Sequence, residues 1–462
     1  MVFSSMTFIY YFLPLILLGY FFTPDRLKNY TLLLASLIFY FVGEPIYILL
    51  LLASVIINYI AGCEIEKYRD KAASKWILAL AITVDILMLA VFKYFNFFAE
   101  NFNLLFKSDM KWVTIALPIG ISFYTFQIMS YIIDVYRGEV KAQKNIAYLA
   151  LYVSLFPQLI AGPIVRYKTI EDEITNRKHT TENFAYGVRR FIFGLLKKVV
   201  IANPLGTLWQ LAQYAEQPTV LFYWLGSVGF MLQIYFDFSA YSDMGIGLGR
   251  MFGFHFLENF NFPYVSKSIT EFWQRWHMSL GTWFRDYLYI PLGGNRTTKL
   301  KWYRNIAVVW LATGIWHGAE WHFILWGAIF GVILILEKLF LHRLLERLPV
   351  ILRHVYTLSL ILFSFVLFNA SSITEAATVI KAMLGLSGIP LYSETTLYYL
   401  MSNKILLVVA MIFSTPLTEI VWKRLSTGRL GSLEPAMLVM ILIVVTGFLV
   451  DSSFNPFLYF RF

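Results

Sequence analysis

The chain has 462 residues, of which 58% are hydrophobic and only 14% charged, and its mean hydropathy is +0.64. A soluble globular protein carries roughly 25% charged residues, so the composition excludes an ordinary soluble enzyme and indicates a polytopic helical membrane protein. The net charge of +10 marks membrane-flanking loops, the positive-inside bias, rather than nucleic-acid binding. A single cysteine, Cys63, excludes an intrachain disulfide framework and a cysteine-rich metal site.

In chain order, Thr7–Phe22 reads as a retained first span, because it lacks a basic n-region and a small-residue cleavage site. Spans are expected next at Tyr30–Val42, Ile46–Gly62 and Trp76–Phe97, the last apolar apart from Asp85 and Lys93. Basic residues flank the first span at Pro24–Lys28 and recur at Glu64–Lys75 and Asp134–Lys144, which fits an outside N-terminus with these loops inside. In Phe156-Pro157-Gln158-Leu159-Ile160-Ala161-Gly162-Pro163, two prolines and a glycine interrupt an apolar run. Such a segment is either buried in protein, where it can line a cavity, or part of a kinked helix. Arg166–Arg190 is polar and reads as a loop with a surface helix. Further spans are expected near Phe191–Leu205, Val220–Phe236, Asn305–Trp316, His322–Leu341, Val355–Phe368, Lys404–Val421 and Ala436–Val450. No internal repeat is visible, so an inverted-repeat transporter gains no support.

Polar and ionisable residues crowd between Tyr235 and Trp321. Ser268 and Glu271 have capping-box spacing. Trp273, Trp276, His277, Leu280, Phe284 and Leu288 then recur at helical intervals, which predicts one amphipathic helix over residues 268–288, lying in the interface or roofing a cavity. His277 on that apolar face is either a packed, hydrogen-bonded core residue or a functional one. His317 ends an apolar run between Trp316 and Gly318, where desolvation favours neutral imidazole. Neutral imidazole is the form a general base requires, although a histidine bonded to a neighbouring helix would give the same pattern. Gly318 would let another group approach the backbone. His317 and His322 are five residues apart and do not stack on one helical turn, and no His-Glu-x-x-His or cysteine pair is present, so no metal site is expected. Asp237 and Asp243, six apart, either orient other groups or bind cations.

The strings Tyr235–Met244, Glu258–Tyr264, Thr270–His277, Thr282–Arg296 and Thr313–Gly318 resemble the bacterial branch of the membrane-bound O-acyltransferases (MBOAT). Within that family they are most similar to membrane subunits that acetylate alginate, peptidoglycan and cellulose. Phe156–Tyr167 and the C-terminal Asn455–Phe462 fit the same pattern, so the resemblance spans nearly the whole chain as one acyltransferase domain. It implies an all-α ring of about eleven to thirteen transmembrane helices, with re-entrant or in-plane pieces, around a central tunnel. It also implies that His317 is the essential histidine and His277 the second one. Trp273, Arg285, Trp316 and Asp243 are the remaining candidates for contact with substrate or donor. The implied reaction takes acetyl from cytoplasmic acetyl-CoA, as a substrate and with no bound cofactor, across a bacterial cytoplasmic membrane. Arg285, Arg296 and Lys299 could meet the donor's phosphates. A secreted SGNH-esterase-type partner would receive the acetyl and pass it to a polysaccharide, with His317 acting as base or as a transient nucleophile. The alternatives are D-alanyl transfer to teichoic acid by a related branch, a polysaccharide or acyl-donor transporter, and a structural scaffold for an export complex.

Overall fold

The computed structural model describes residues 2–160, 162–427 and 429–451; the string Asn455–Phe462 lies outside them. Every regular element among the described residues is a helix, as the composition requires of a chain built for lipid. Eight of them are long and apolar enough to cross a bilayer: Ile48–Lys67, Ala72–Phe106, Thr181–Gln213, Val220–Met251, Trp321–Arg347, Val350–Asn369, Glu394–Phe413 and Gly431–Asp451. Phe8–Phe22 is apolar but shorter. Two other expected spans lie within Lys28–Gly43, only 16 residues long, and Lys299–His317, whose first turns carry Lys299, Lys301 and Arg304. The chain is an all-α, multi-pass membrane protein.

The helices gather into two compact units, one of Met1–Phe191 with Tyr241–Leu257, the other of Ile192–Ala240 with Glu258–Phe462. In the first, α1 (Ile48–Lys67), α2 (Ala72–Phe106) and α3 (Ile121–Arg137) pack together. Asp85 and Lys93, in the apolar stretch of α2, turn inward. Asn58 Nδ2 donates to Asp85 Oδ1 at 2.9 Å, and Lys93 Nζ donates to Ser122 Oγ at 3.0 Å. Bonding between helices is what an intramembrane charge requires.

The interrupted run at Phe156 is buried inside this unit, where Phe156–Leu159 forms one short helical turn. Its backbone carbonyls are approached so closely that a Cβ on Gly120 would stand 2.8 Å from Leu159 O, and one on Gly245 2.6 Å from Pro157 O. Of the two readings, burial in protein is therefore the correct one.

The second unit contains α4 (Val220–Met251) as far as Ala240, the short α5 (Ile269–Arg275) and α6 (Met278–Phe284), then α7 (Lys299–His317), α8 (Trp321–Leu336) and α9 (Val350–Asn369). The pair α7–α8 is joined by a short turn and crosses at two glycines. A Cβ on Gly327 would stand 2.4 Å from Trp310 O, and one on Gly314 2.5 Å from Phe323 O. In lipid, such small-residue crossings let backbones meet and gain dispersion energy. Nearby, Lys198 Nζ pairs with Asp237 Oδ1 at 2.5 Å, with both side chains almost wholly buried.

Candidate active site

The predicted helix start is present: Ser268 Oγ accepts from Glu271 N at 3.0 Å, while Glu271 Oε2 accepts from Lys267 N at 2.9 Å. The continuous helix expected over 268–288 is not. α5 stops at Arg275, Trp276 is extended, and His277 is left-handed at φ 46°, ψ 51° before α6 begins. A left-handed non-glycine residue costs about 1–2 kcal/mol. Here the loop at Asn259–Asn261 pairs with the break. Asn261 N donates to Arg275 O and Met278 N donates to Asn259 O, each at 2.9 Å. These bonds between distant parts of the chain outweigh the local helical preference. The reorientation separates His277 from the helical face it was expected to share with Trp273.

Asn259 also organises the histidine itself. Its Oδ1 accepts from Ser279 Oγ at 2.8 Å and from Ser279 N at 3.2 Å, and it lies 3.2 Å from His277 Nδ1. A shared acceptor opposite Nδ1 assigns the proton to that nitrogen, so that Nε2 carries the lone pair. Phe238 packs edge-on against the imidazole, with centroids 4.7 Å apart. His277 is only 2% exposed, and burial pushes its pKa down to about 3, so it is neutral.

His317 is the last residue of α7 and is 3% exposed. Its ring meets Trp316 at 5.1 Å, Trp326 of α8 at 5.1 Å and Phe368 of α9 at 5.3 Å. The following glycine is required for space: a Cβ on Gly318 would stand 2.2 Å from the Phe323 ring. Trp316 joins the two histidines, since its indole also meets His277 with centroids 6.0 Å apart. The structure thus brings His277, His317 and Trp316 together.

The other candidates fall elsewhere. Trp273 packs on Trp310, Trp326 and Phe330 at 4.8, 5.5 and 4.9 Å, one ring removed from His317. Arg285 is largely exposed and forks onto its neighbour Asp286, with Nε 2.7 Å from Oδ1, which raises its pKa. Arg296 is exposed on the segment between α6 and α7, and Lys299 is exposed as the first residue of α7. Asp243 belongs to the first unit and accepts from Arg190 Nε and a terminal guanidinium nitrogen at 3.1 and 2.8 Å. Asn259, Ser279, Phe238 and Trp326 are site residues that sequence reasoning did not single out. Asn259 lay inside a quoted string, but nothing local tied it to a residue 18 positions on.

The site can hold neutral imidazole in an apolar cage and present it to a hydroxyl or thioester, the requirement of acyl transfer by general-base or nucleophilic catalysis. Comparison with known proteins leads to the same chemistry. Residues 77–375 match the model of MBOAT, the membrane-bound O-acyltransferase family. The chain is 45% identical to the probable alginate O-acetylase AlgI of Azotobacter vinelandii, covering 83% of this chain and 78% of that one. It is 36% identical to the peptidoglycan O-acetyltransferase of Helicobacter pylori, covering 85% and 81%. Against the teichoic acid D-alanyltransferase of Bacillus subtilis the identity is 29%, over 65% and 80%. With its buried histidine pair, its multi-pass helical fold and these matches, the chain is an acyltransferase and belongs to the membrane-bound O-acyltransferase family.

Proposed function

We propose that this acyltransferase moves acetyl groups from cytoplasmic acetyl-CoA across the bacterial cytoplasmic membrane for O-acetylation of an extracytoplasmic polysaccharide of the alginate or peptidoglycan kind. The group passes first to a serine of a separate SGNH-esterase-type protein. The observation that carries this reading is the pair of buried histidines meeting one indole, Trp316. The named activities of the more similar relatives favour acetyl over D-alanyl, whose relative is the more distant.

In the reaction, the imidazole of His317 takes the proton of the acceptor hydroxyl as its oxygen attacks the thioester carbonyl. The tetrahedral intermediate collapses, the carbon–sulfur bond breaks, and the imidazolium returns the proton to the departing CoA thiolate. His277, fixed by Asn259 and packed against the Trp316 indole, orients the acceptor beside His317 as a neutral imidazole. Trp316 keeps the two rings in register and excludes water.

The test is transfer from labelled acetyl-CoA in membranes containing this chain and a co-expressed SGNH-type protein, comparing wild type with His317→Ala at equal insertion. Label on the partner or glycan with wild type alone supports the reading. Equal label with the variant removes His317 from the chemistry. No label from acetyl-CoA, with label from a D-alanyl carrier thioester, assigns the other donor.

A further inference from the structure

Glu337 directly follows α8, opens the π-helical stretch Glu337–Leu341 that continues it, and is only 2% exposed. Its carboxylate gathers donors from two other elements. Oε1 accepts from Ile269 N at 2.7 Å and from Tyr356 Oη at 3.1 Å; Oε2 accepts from Thr270 N at 2.8 Å and Thr270 Oγ1 at 2.6 Å. Four N–H and O–H donors converge on two oxygens, which is how a carboxylate is held away from water.

Each element tied by this carboxylate also reaches a histidine. α8 bears Trp326 against His317 and α9, which supplies Tyr356, bears Phe368 against the same ring. α5, held through Ile269 and Thr270, runs directly to the break at His277. A second bond reinforces the tie, because His354 Nδ1 of α9 lies 3.0 Å from Ser266 O just before α5. We propose that Glu337 is a positioning residue that fixes the start of α5 to α8 and α9, and thereby holds His277 in register with His317. This rests on the roles given to the histidines above; Glu337 itself touches neither ring in any of these contacts.

The experiment compares wild type, Glu337→Gln and Thr270→Val in native-like nanodiscs by two readouts. One is kcat and KM for acetyl transfer. The other is the rate at which diethyl pyrocarbonate modifies His277, followed by mass spectrometry with the exposed His342 as internal reference. Glutamine keeps the shape but replaces one acceptor with an amide that faces N–H and O–H donors. The expected result is a ~10- to 100-fold loss of kcat with KM for acetyl-CoA within about twofold. Modification of His277 rises several-fold and that of His342 is unchanged. Thr270→Val, which removes one donor, gives a smaller change in the same direction and decides the matter if Glu337→Gln does not accumulate. Unchanged His277 modification in inserted, folded variant overturns the proposal. Faster His277 modification in a chain whose wild type transfers no acetyl retains the positioning role and overturns the proposed function instead.

Discussion

Gly327→Ala perturbs the site through the backbone crossing without altering any candidate side chain itself. Its new methyl would stand 2.4 Å from Trp310 O and 3.0 Å from the Gly314 Cα, where ordinary contact begins at 3.4 Å. Both neighbours are backbone and cannot rotate away, so α7 and α8 must part by about 1 Å, an overpacking that costs ~1–3 kcal/mol. The same shift separates His317 on α7 from Trp326 on α8, now 5.1 Å apart, and misplacement by about 1 Å can cost ~100-fold in turnover. The assay is initial-rate acetyl transfer normalised to inserted protein, with thermal unfolding in detergent alongside. Gly447→Ala is the control, since a Cβ there meets nothing within 4 Å and alanine in a helix interior should stabilise by ~0.5–1 kcal/mol. Wild-type turnover and melting temperature for Gly327→Ala would refute the claim that this crossing sets the site.

Two further outcomes follow from buried charge. Lys198→Ala deprives the Asp237 carboxylate of its 2.5 Å partner and should destabilise by ~3–5 kcal/mol, whereas Lys198→Met with Asp237→Leu should recover most of that; detergent melting curves of the three variants check it. His277, held neutral by burial with its pKa pushed from 6.5 down to about 3, binds its proton in the unfolded chain but not in the folded one. Stability should therefore fall as pH drops below 6.5, by ~1.4 kcal/mol per unit, and His277→Asn should melt with a flatter pH slope between 7 and 5.5. An unchanged slope would refute this assignment.

Much of the architecture was legible because lipid imposes strong rules. Long apolar runs gave the positions of the crossing helices, and Asp85 and Lys93 were visible in the apolar stretch of α2 as exceptions that needed partners inside the bundle. The cap at Ser268 was legible for a local reason, since a hydroxyl and the amide three residues on meet without help from elsewhere. The break at Trp276–His277 was not. No glycine or proline marks it, and the spacing of Trp273, Trp276, Leu280 and Phe284 suits an unbroken helix. It exists because residues 259–261 supply backbone partners at that point. Asp237 and Asp243 illustrate the same limit, as equivalent aspartates on one helix that pair with Lys198 and Arg190 in different units. Gly318 was half legible: its sequence called for a close neighbour, and only the turn into α8 identifies that neighbour as Phe323.

Both histidines sit where helices end, and this makes Asn259 the residue on which the site's geometry can be tested most directly. Helix interiors fix side chains through periodicity, but a residue at a helix end takes its direction from whatever satisfies the local backbone. At His277 that is Asn259, through its main chain to Met278 and its side chain to Ser279 and the imidazole. Asn259→Ala retains the main-chain bond and removes Oδ1, so three buried donors lose their common acceptor at ~1–3 kcal/mol each at most. The imidazole also loses the group that fixes the proton on Nδ1. The expected outcome is a fall in melting temperature with a proportionally larger fall in kcat, and recovery of both in Asn259→Asp only at pH values where the new carboxylate is ionised. Loss of melting temperature and kcat in equal measure, with no dependence on that ionisation, would mean that Asn259 only braces the fold. A fall in kcat alone, rescued by the carboxylate, would mean that the direction of one imidazole limits the reaction.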